Sequence, residues 1–245
     1  MALRLTTIAP GVHRLATRYT NWYVLEEGGR LTVLDAGLPG DWRRANAALA
    51  GLGYALSDVD AVLITHHHPD HAGNAERFRA AGATVHAHPA DAPAVRGDRG
   101  GVRLKQRLPF LRQRWYRIYM LHVLANGVTR VPAVAELDHL ADGEVLDVPG
   151  SPRVVHAPGH TPGSCAVLLE GRSLLFSGDA LVTLDMTEGK RGPQVIRGPD
   201  TDDAELALQS LDVLAATRAE TVLPGHGEPW TQGVEEAVAI ARRGA

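Results

Sequence analysis

Five times along this chain a short apolar run hands over to a loop carrying an ionisable side chain close to glycine. The five are Asp35 in LDAG, the run THHHPDHAGN, His160 in APGHTPGS, Asp179 in FSGD and His226 in LPGHG. Such groups at strand ends usually face a site and not the core, and five such loops on one chain are not accidental. The surrounding pattern supplies the strands. TNWYVLEEG and RLTVLDAG, split by Gly28-Gly29, read as a hairpin. AVLIT at 61–65 reads as a short buried strand and TVHAH as another; DWRRANAALAGLG and AGNAERFRAAG read as helices that stop at glycine. After Pro132 come the strands VVHA, SCAVLLEG and RSLLFSG, one amphipathic helix over 203–217, the strand ETVLPG and a terminal helix VEEAVAIARRG. Strands and helices alternate in both halves. This predicts an α/β fold of mixed sheets covered by helices, in a single domain over residues 1–245.

Composition narrows the classes. The chain is 44% hydrophobic and 22% charged, ordinary for a globular protein. No apolar run approaches the ~20 residues of a membrane span. MALRLTTIAPGVHRL lacks a long apolar stretch and a small-residue cleavage site, so no signal peptide is expected. The single cysteine, Cys165, excludes an intramolecular disulfide and a cysteine metal cluster. The expected location is cytoplasmic. The net charge of −3 is uneven: residues 96–117 hold eight Lys/Arg against Asp98, leaving 17 basic and 27 acidic residues elsewhere. This basic stretch interrupts the α/β alternation as a helical insertion at about 96–130, broken near Pro109. Its locality argues against a general nucleic-acid binder.

The densest motif is THHHPDH. Residues two apart in an extended loop face the same side, so His66 and His68 can reach one metal ion with His67 turned away. Asp70 and His71, at the following turn, can reach a second ion nearby. Imidazole and carboxylate without thiolate suit zinc, iron or manganese. A lone histidine would read as core or solvated, and Asp70 alone as a helix N-cap; the concentration of ligand-type residues reverses that reading.

H-x-H-x-D-H, followed in order by single His, Asp and His residues in GHTPGS, SGD and PGHG, resembles the metallo-β-lactamase fold. The resemblance runs from about residue 12 to the last helix, and Asp35 in LDAG matches the first motif. It implies an αββα sandwich of two mixed β-sheets flanked by helices, with a dinuclear site at one edge. It also implies that His66, His68 and His160 hold one metal, that Asp70, His71 and His226 hold the other, that Asp179 bridges the two, and that Asp35 supports the ligand loop. The expected cofactors are two divalent ions, zinc first, with iron or manganese as the other candidates. The implied nucleophile is a bridging hydroxide. Two divalent ions exceed the three negative charges of Asp70, Asp179 and that hydroxide by one, which favours an oxyanion growing on a carbonyl or phosphoryl group. Asp70 is in addition the candidate catalytic residue, passing a proton to the leaving group.

Departures within the family narrow the reaction. β-Lactamases of this fold place Cys or Ser where Asp179 stands, and flavo-diiron proteins place Glu where His68 stands. THHHPDHAGN and GHTPGS look most like glyoxalase II, but with only 19 residues after His226 that enzyme's glutathione-binding domain is not expected. Many lactonases carry a Tyr soon after the bridging Asp; here Ala180, Leu181, Val182 and Thr183 follow. The expected enzyme is a metal-dependent hydrolase of a small ester, lactone or thioester. The alternatives are a mononuclear-iron enzyme like the persulfide dioxygenases, a phosphodiesterase or RNA-processing nuclease, and a β-lactamase. The expected partner is a small-molecule substrate, with nucleic acid disfavoured. Trp115, Tyr116, Tyr119, Met120 and His122 share the inserted helix with the arginines. They read as a packed stripe, as a lid over an apolar acyl group in the substrate pocket, or as a homodimer contact.

Overall fold

The computed structural model describes residues 3–99 and 107–244; Arg103 and Lys105 of the basic stretch lie outside the described residues. The first sheet contains β1 (Arg4–Ala9), β2 (Val12–Ala16), β3 (Asn21–Glu27), β4 (Arg30–Leu34), β5 (Val59–Ile64), β6 (Thr84–Ala87) and β7 (Asp138–His139), side by side in chain order. β1 to β4 form an antiparallel meander, and β4 to β7 run parallel. The second sheet contains β8 (Arg153–His156), β9 (Cys165–Leu169), β10 (Leu174–Gly178) and, after a separate hairpin of β11 (Val182–Leu184) and β12 (Arg191–Gln194), β13 (Thr221–Pro224). In it β8, β9 and β10 are antiparallel neighbours, while β10 and β13 are parallel. The helices are α1 (Trp42–Gly51), α2 (Pro69–Ala72), α3 (Ala75–Ala80), α4 (Ala92–Val95), α5 (Arg114–Ala125), α6 (Ala204–Gln209), α7 (Leu211–Ala216) and α8 (Val234–Arg243).

Local chemistry explains the elements that carry the site. Gly28 and Gly29 both adopt positive φ, 59° and 78°, the two-residue turn whose twist matches flanking strands. VDAVLI of β5 is almost wholly buried, as expected of a parallel strand covered on both faces. Along β3 the side chains alternate. Tyr23 and Leu25 enter the space between the sheets with Leu63, Val167, Phe176 and Leu223. Trp22 and Val24 face outward, where Leu49 of α1 and Phe78 of α3 cover them. On the far side Leu168, Leu175 and Val222 pack under Leu211, Leu214 and Val238 of α7 and α8. The result is the expected αββα sandwich. Each large side chain fully buried in these layers stabilises it by ~1.5–3 kcal/mol.

Three local features differ from the sequence reading. RLTTIA and VHRLA, not assigned from sequence, form β1 and β2. The hairpin of β11 and β12 was also not anticipated, because RGPQ of β12 reads as a turn. The single helix expected over 203–217 is two, α6 and α7, meeting at Ser210. There the Ser210 hydroxyl donates to the Pro158 carbonyl at 2.7 Å, which ties the joint to the loop carrying His160.

Candidate active site

The topology sends the candidate residues to one edge of the sandwich. Asp35 follows β4, His66 follows β5, Asp179 follows β10 and His226 follows β13, while His160 lies in the loop joining β8 to β9. All five, with Asp70 and His71, are buried. Three groups of ligand-type atoms form there, each with its atoms within 4.8 Å of one another: His66, His68 and His160; Asp70, His71 and His226; and His66, His71 and Asp179. Asp179 lies among them. Its Oδ2 is 3.0 Å from His226 Nε2 and 3.5 Å from His160 Nε2, and its Oδ1 is 3.6 Å from His71 Nε2.

Hydrogen bonds behind the rings decide which nitrogen faces inward. His71 Nδ1 donates to Asp35 Oδ2 at 2.7 Å. His226 Nδ1 donates to the Tyr19 carbonyl at 2.6 Å. The Thr201 hydroxyl donates to the Ile196 carbonyl, so it accepts from His160 Nδ1 at 3.0 Å. The Thr65 hydroxyl gives its proton to Asp35 and faces His66 Nδ1 at 3.1 Å. Each of these four rings therefore turns Nε2 to the centre, the atom a metal would take once it carries no proton. Asp35 holds this arrangement from a left-handed backbone, φ 63°, accepting from the Thr65 amide at 2.8 Å as well.

The electrostatics also suit cations. Burial, reinforced by neighbouring histidines, holds His66 and His68 well below the usual imidazole range. Burial likewise lowers His160 to about 4, against the opposing pull of Asp179. Burial opposes charge on His71 too, but Asp179, Asp35 and Asp70 outweigh it and raise that ring to about 10. Burial would push the Asp179 carboxyl up, yet His226, His71 and His160 hold it well below the carboxylate range. Asp179 Oδ1 is buried without a hydrogen-bond partner. A buried carboxylate oxygen with no hydrogen-bond partner is costly unless positive charge joins it. The residues present thus fit bound metal.

One organising residue escaped the sequence reading. Asp91 occupies the N-cap position of α4 but does not cap it. Its buried carboxylate instead accepts from the His67 amide at 2.8 Å, Thr161 Oγ1 at 2.7 Å and the Gly163 amide at 2.8 Å. It therefore fastens the THHHPDH loop to the GHTPGS loop. The available signal was an Asp ahead of a helix, which ordinarily reads as a local cap.

Beside the cluster opens a cleft, reached by His68, Asp70, His160, Asp179 and His226. Tyr116 and Tyr119 of α5 line it, with Met120, Val123, Val128, Met186 and Ile196 supplying apolar wall. The Tyr119 hydroxyl donates to Asp70 Oδ2 at 3.0 Å, and Thr20 Oγ1 donates to the same oxygen at 3.2 Å. Arg107 and Asp200, also in the lining, form an ion pair. Trp115 and His122 correct the pocket set read from sequence, since neither lines this cleft. Helical periodicity is the reason: positions 116, 119, 120 and 123 share one face, and 115 and 122 sit a residue off it. Trp115 lies against Gly189, and the His122 ring packs on Tyr19 at 5.0 Å.

The family model described as the metallo-beta-lactamase superfamily matches residues 15–226. The chain belongs to that superfamily. Among its relatives is a probable metallo-hydrolase, YflN, of Bacillus subtilis, 26% identical, with 91% of this chain and 86% of that protein covered. A hydroxyacylglutathione hydrolase of Cereibacter sphaeroides is 32% identical over 73% of this chain, and the match spans about half of that protein, 51%. A solved metallo-beta-lactamase family protein of Thermus thermophilus superposes with a TM-score of 0.71 at 29% identity, covering 96% of this chain and 80% of that one. This superfamily member is a metallo-hydrolase with a histidine and aspartate cluster able to bind metal. Among the described residues no helix is long and apolar enough to cross a membrane.

Proposed function

We propose that the chain is a dinuclear metal-dependent hydrolase, zinc being the preferred ion, that cleaves an ester, lactone or thioester bond of a small apolar acyl compound. The observation that carries this reading is Asp179, set between a three-histidine group and an Asp70–His71–His226 group. His66, His68 and His160 would hold one ion, and Asp70, His71 and His226 the other, with Asp179 shared. When bound, such ions supply Lewis acidity that polarises a carbonyl and ionises water near neutral pH. The chain's own groups do the rest. Asp35, Thr65, Thr201 and the Tyr19 carbonyl fix the rings, so little reorganisation remains at reaction. Asp70, held by Thr20 and Tyr119, stands at the cleft and would take the proton released by the attacking water and pass it to the leaving oxygen or sulfur. Met120, Val123, Met186 and Ile196 would exclude water around the acyl group. The insertion at about 96–130 belongs, in this reading, to one domain with the sandwich, and the cytoplasmic location remains part of the proposal.

The test is a panel of acyl thioesters, lactones, β-lactams and bis(p-nitrophenyl) phosphate, assayed on the metal-loaded protein. Turnover confined to carbonyl substrates, rising with apolar acyl length, is the expected result. Activity confined to the phosphodiester, or selective β-lactam turnover, would overturn the proposal.

A further inference from the structure

Seven large hydrophobic side chains are exposed among the described residues, and five of them fall between positions 108 and 124: Leu108, Leu111, Trp115, Leu121 and Leu124. On α5 the outward stripe runs Arg114, Arg117, Leu121, Leu124, a helical spacing of three, four and three residues. Arg117 Nη1 donates to the carbonyls of Leu111 and Arg112, each at 3.1 Å, which joins the preceding turn to the same patch. Leu121 is 68% exposed and Leu124 53%. No Asp or Glu occurs from Arg99 to Ala135. The opposite face of the helix contributes Tyr116, Tyr119, Met120 and Val123 to the cleft.

We infer that this face docks on an anionic phospholipid surface, with the leucines entering the headgroup boundary and the arginines meeting lipid phosphates. Apolar residues interleaved with cations on one exposed helical face suit such an interface. Charge decides against a second copy of the chain. A two-fold contact joins the same patch on both copies, so it would bring two arginine-bearing faces together with no carboxylate from this segment between them. A nucleic acid would satisfy the arginines but leave the leucines without an apolar partner. The same helix forms the cleft wall, so docking would place the cleft beside the bilayer, where apolar acyl compounds partition. That last consequence rests on the hydrolase proposed above; the docking itself does not.

The test is sedimentation of the metal-loaded protein with vesicles of phosphatidylcholine containing about 30 mol% phosphatidylglycerol, against pure phosphatidylcholine, with hydrolysis of a soluble ester measured in parallel. Wild-type protein should sediment with the anionic vesicles at least ~10-fold more strongly than with neutral ones, and less as salt rises. Leu121→Ser/Leu124→Ser should weaken binding at least ~10-fold, and Arg114→Gln/Arg117→Gln should remove the preference for anionic lipid. Soluble-ester turnover should be unchanged in both variants; if the ester is not a substrate, the sedimentation arm still reads the docking. Absence of vesicle binding, or binding that both double variants retain in full, would overturn the inference. So would a dimer by light scattering that Leu121→Ser/Leu124→Ser dissociates, without vesicle binding.

Discussion

Replacing Asp179 by asparagine is expected to lower kcat at least ~100-fold while the protein remains folded. The substitution keeps nearly the same volume but removes the negative charge that faces His71, His160 and His226. An amide is a poor shared ligand, so one metal equivalent should be lost or held more weakly. Folding should survive because β10 is anchored by Leu174, Leu175 and Phe176, all buried, each contributing ~1.5–3 kcal/mol. Asp35→Asn offers the contrast. Asp35 acts through the His71 ring and the Thr65 amide, so its loss should weaken metal binding by ~10-fold. Circular dichroism, metal content and kcat on each variant check the pair. An Asp179→Asn enzyme with two metals and near-normal turnover would remove Asp179 from the shared position.

Gly225→Ala should be as damaging to activity, by displacement and not by charge. A Cβ at Gly225 would lie 2.2 Å from Asp179 Oδ1 and 2.7 Å from His71 Cε1. Neither group can retreat, since both are buried among the other ligand-type residues. The added methyl should cost ~1–3 kcal/mol in overpacking, and a displacement of about 1 Å at the site costs about 100-fold in rate. Gly51→Ala is the control: an added Cβ there meets nothing within 4 Å, so activity and melting temperature should hold. Equal kcat in the two variants would mean that Gly225 does not set the position of Asp179.

Much of this architecture is legible in the chain because its chemistry is local. LDAG, THHHPDH, GHTPGS, SGD and PGHG are short motifs at strand ends, and the apolar runs before them mark the strands. Gly28-Gly29 announces its hairpin for the same reason. What sequence conceals is contact between distant segments. Asp91 looks like a helix cap until the fold brings Thr161 and Gly163 to it. The Tyr19 carbonyl that orients His226 carries no side-chain signal at all. Arg107 and Asp200 meet at the cleft from distant parts of the chain. The break at Ser210 depends on a carbonyl 52 positions earlier. Trp115 and His122 show a different limit: on an aromatic-rich helix, composition suggests a pocket wall, but only the rotation of α5 against the body selects Tyr116 and Tyr119 for it.

Two ions sharing Asp179 are the central claim, and metal content per chain tests it most directly. Protein purified without chelator, desalted and measured by elemental analysis should carry close to two transition-metal ions per chain, predominantly zinc, with hydrolytic activity lost on chelation and restored by metal. A single tightly held iron per chain, accompanied by oxygen-dependent sulfur chemistry in place of hydrolysis, would contradict it.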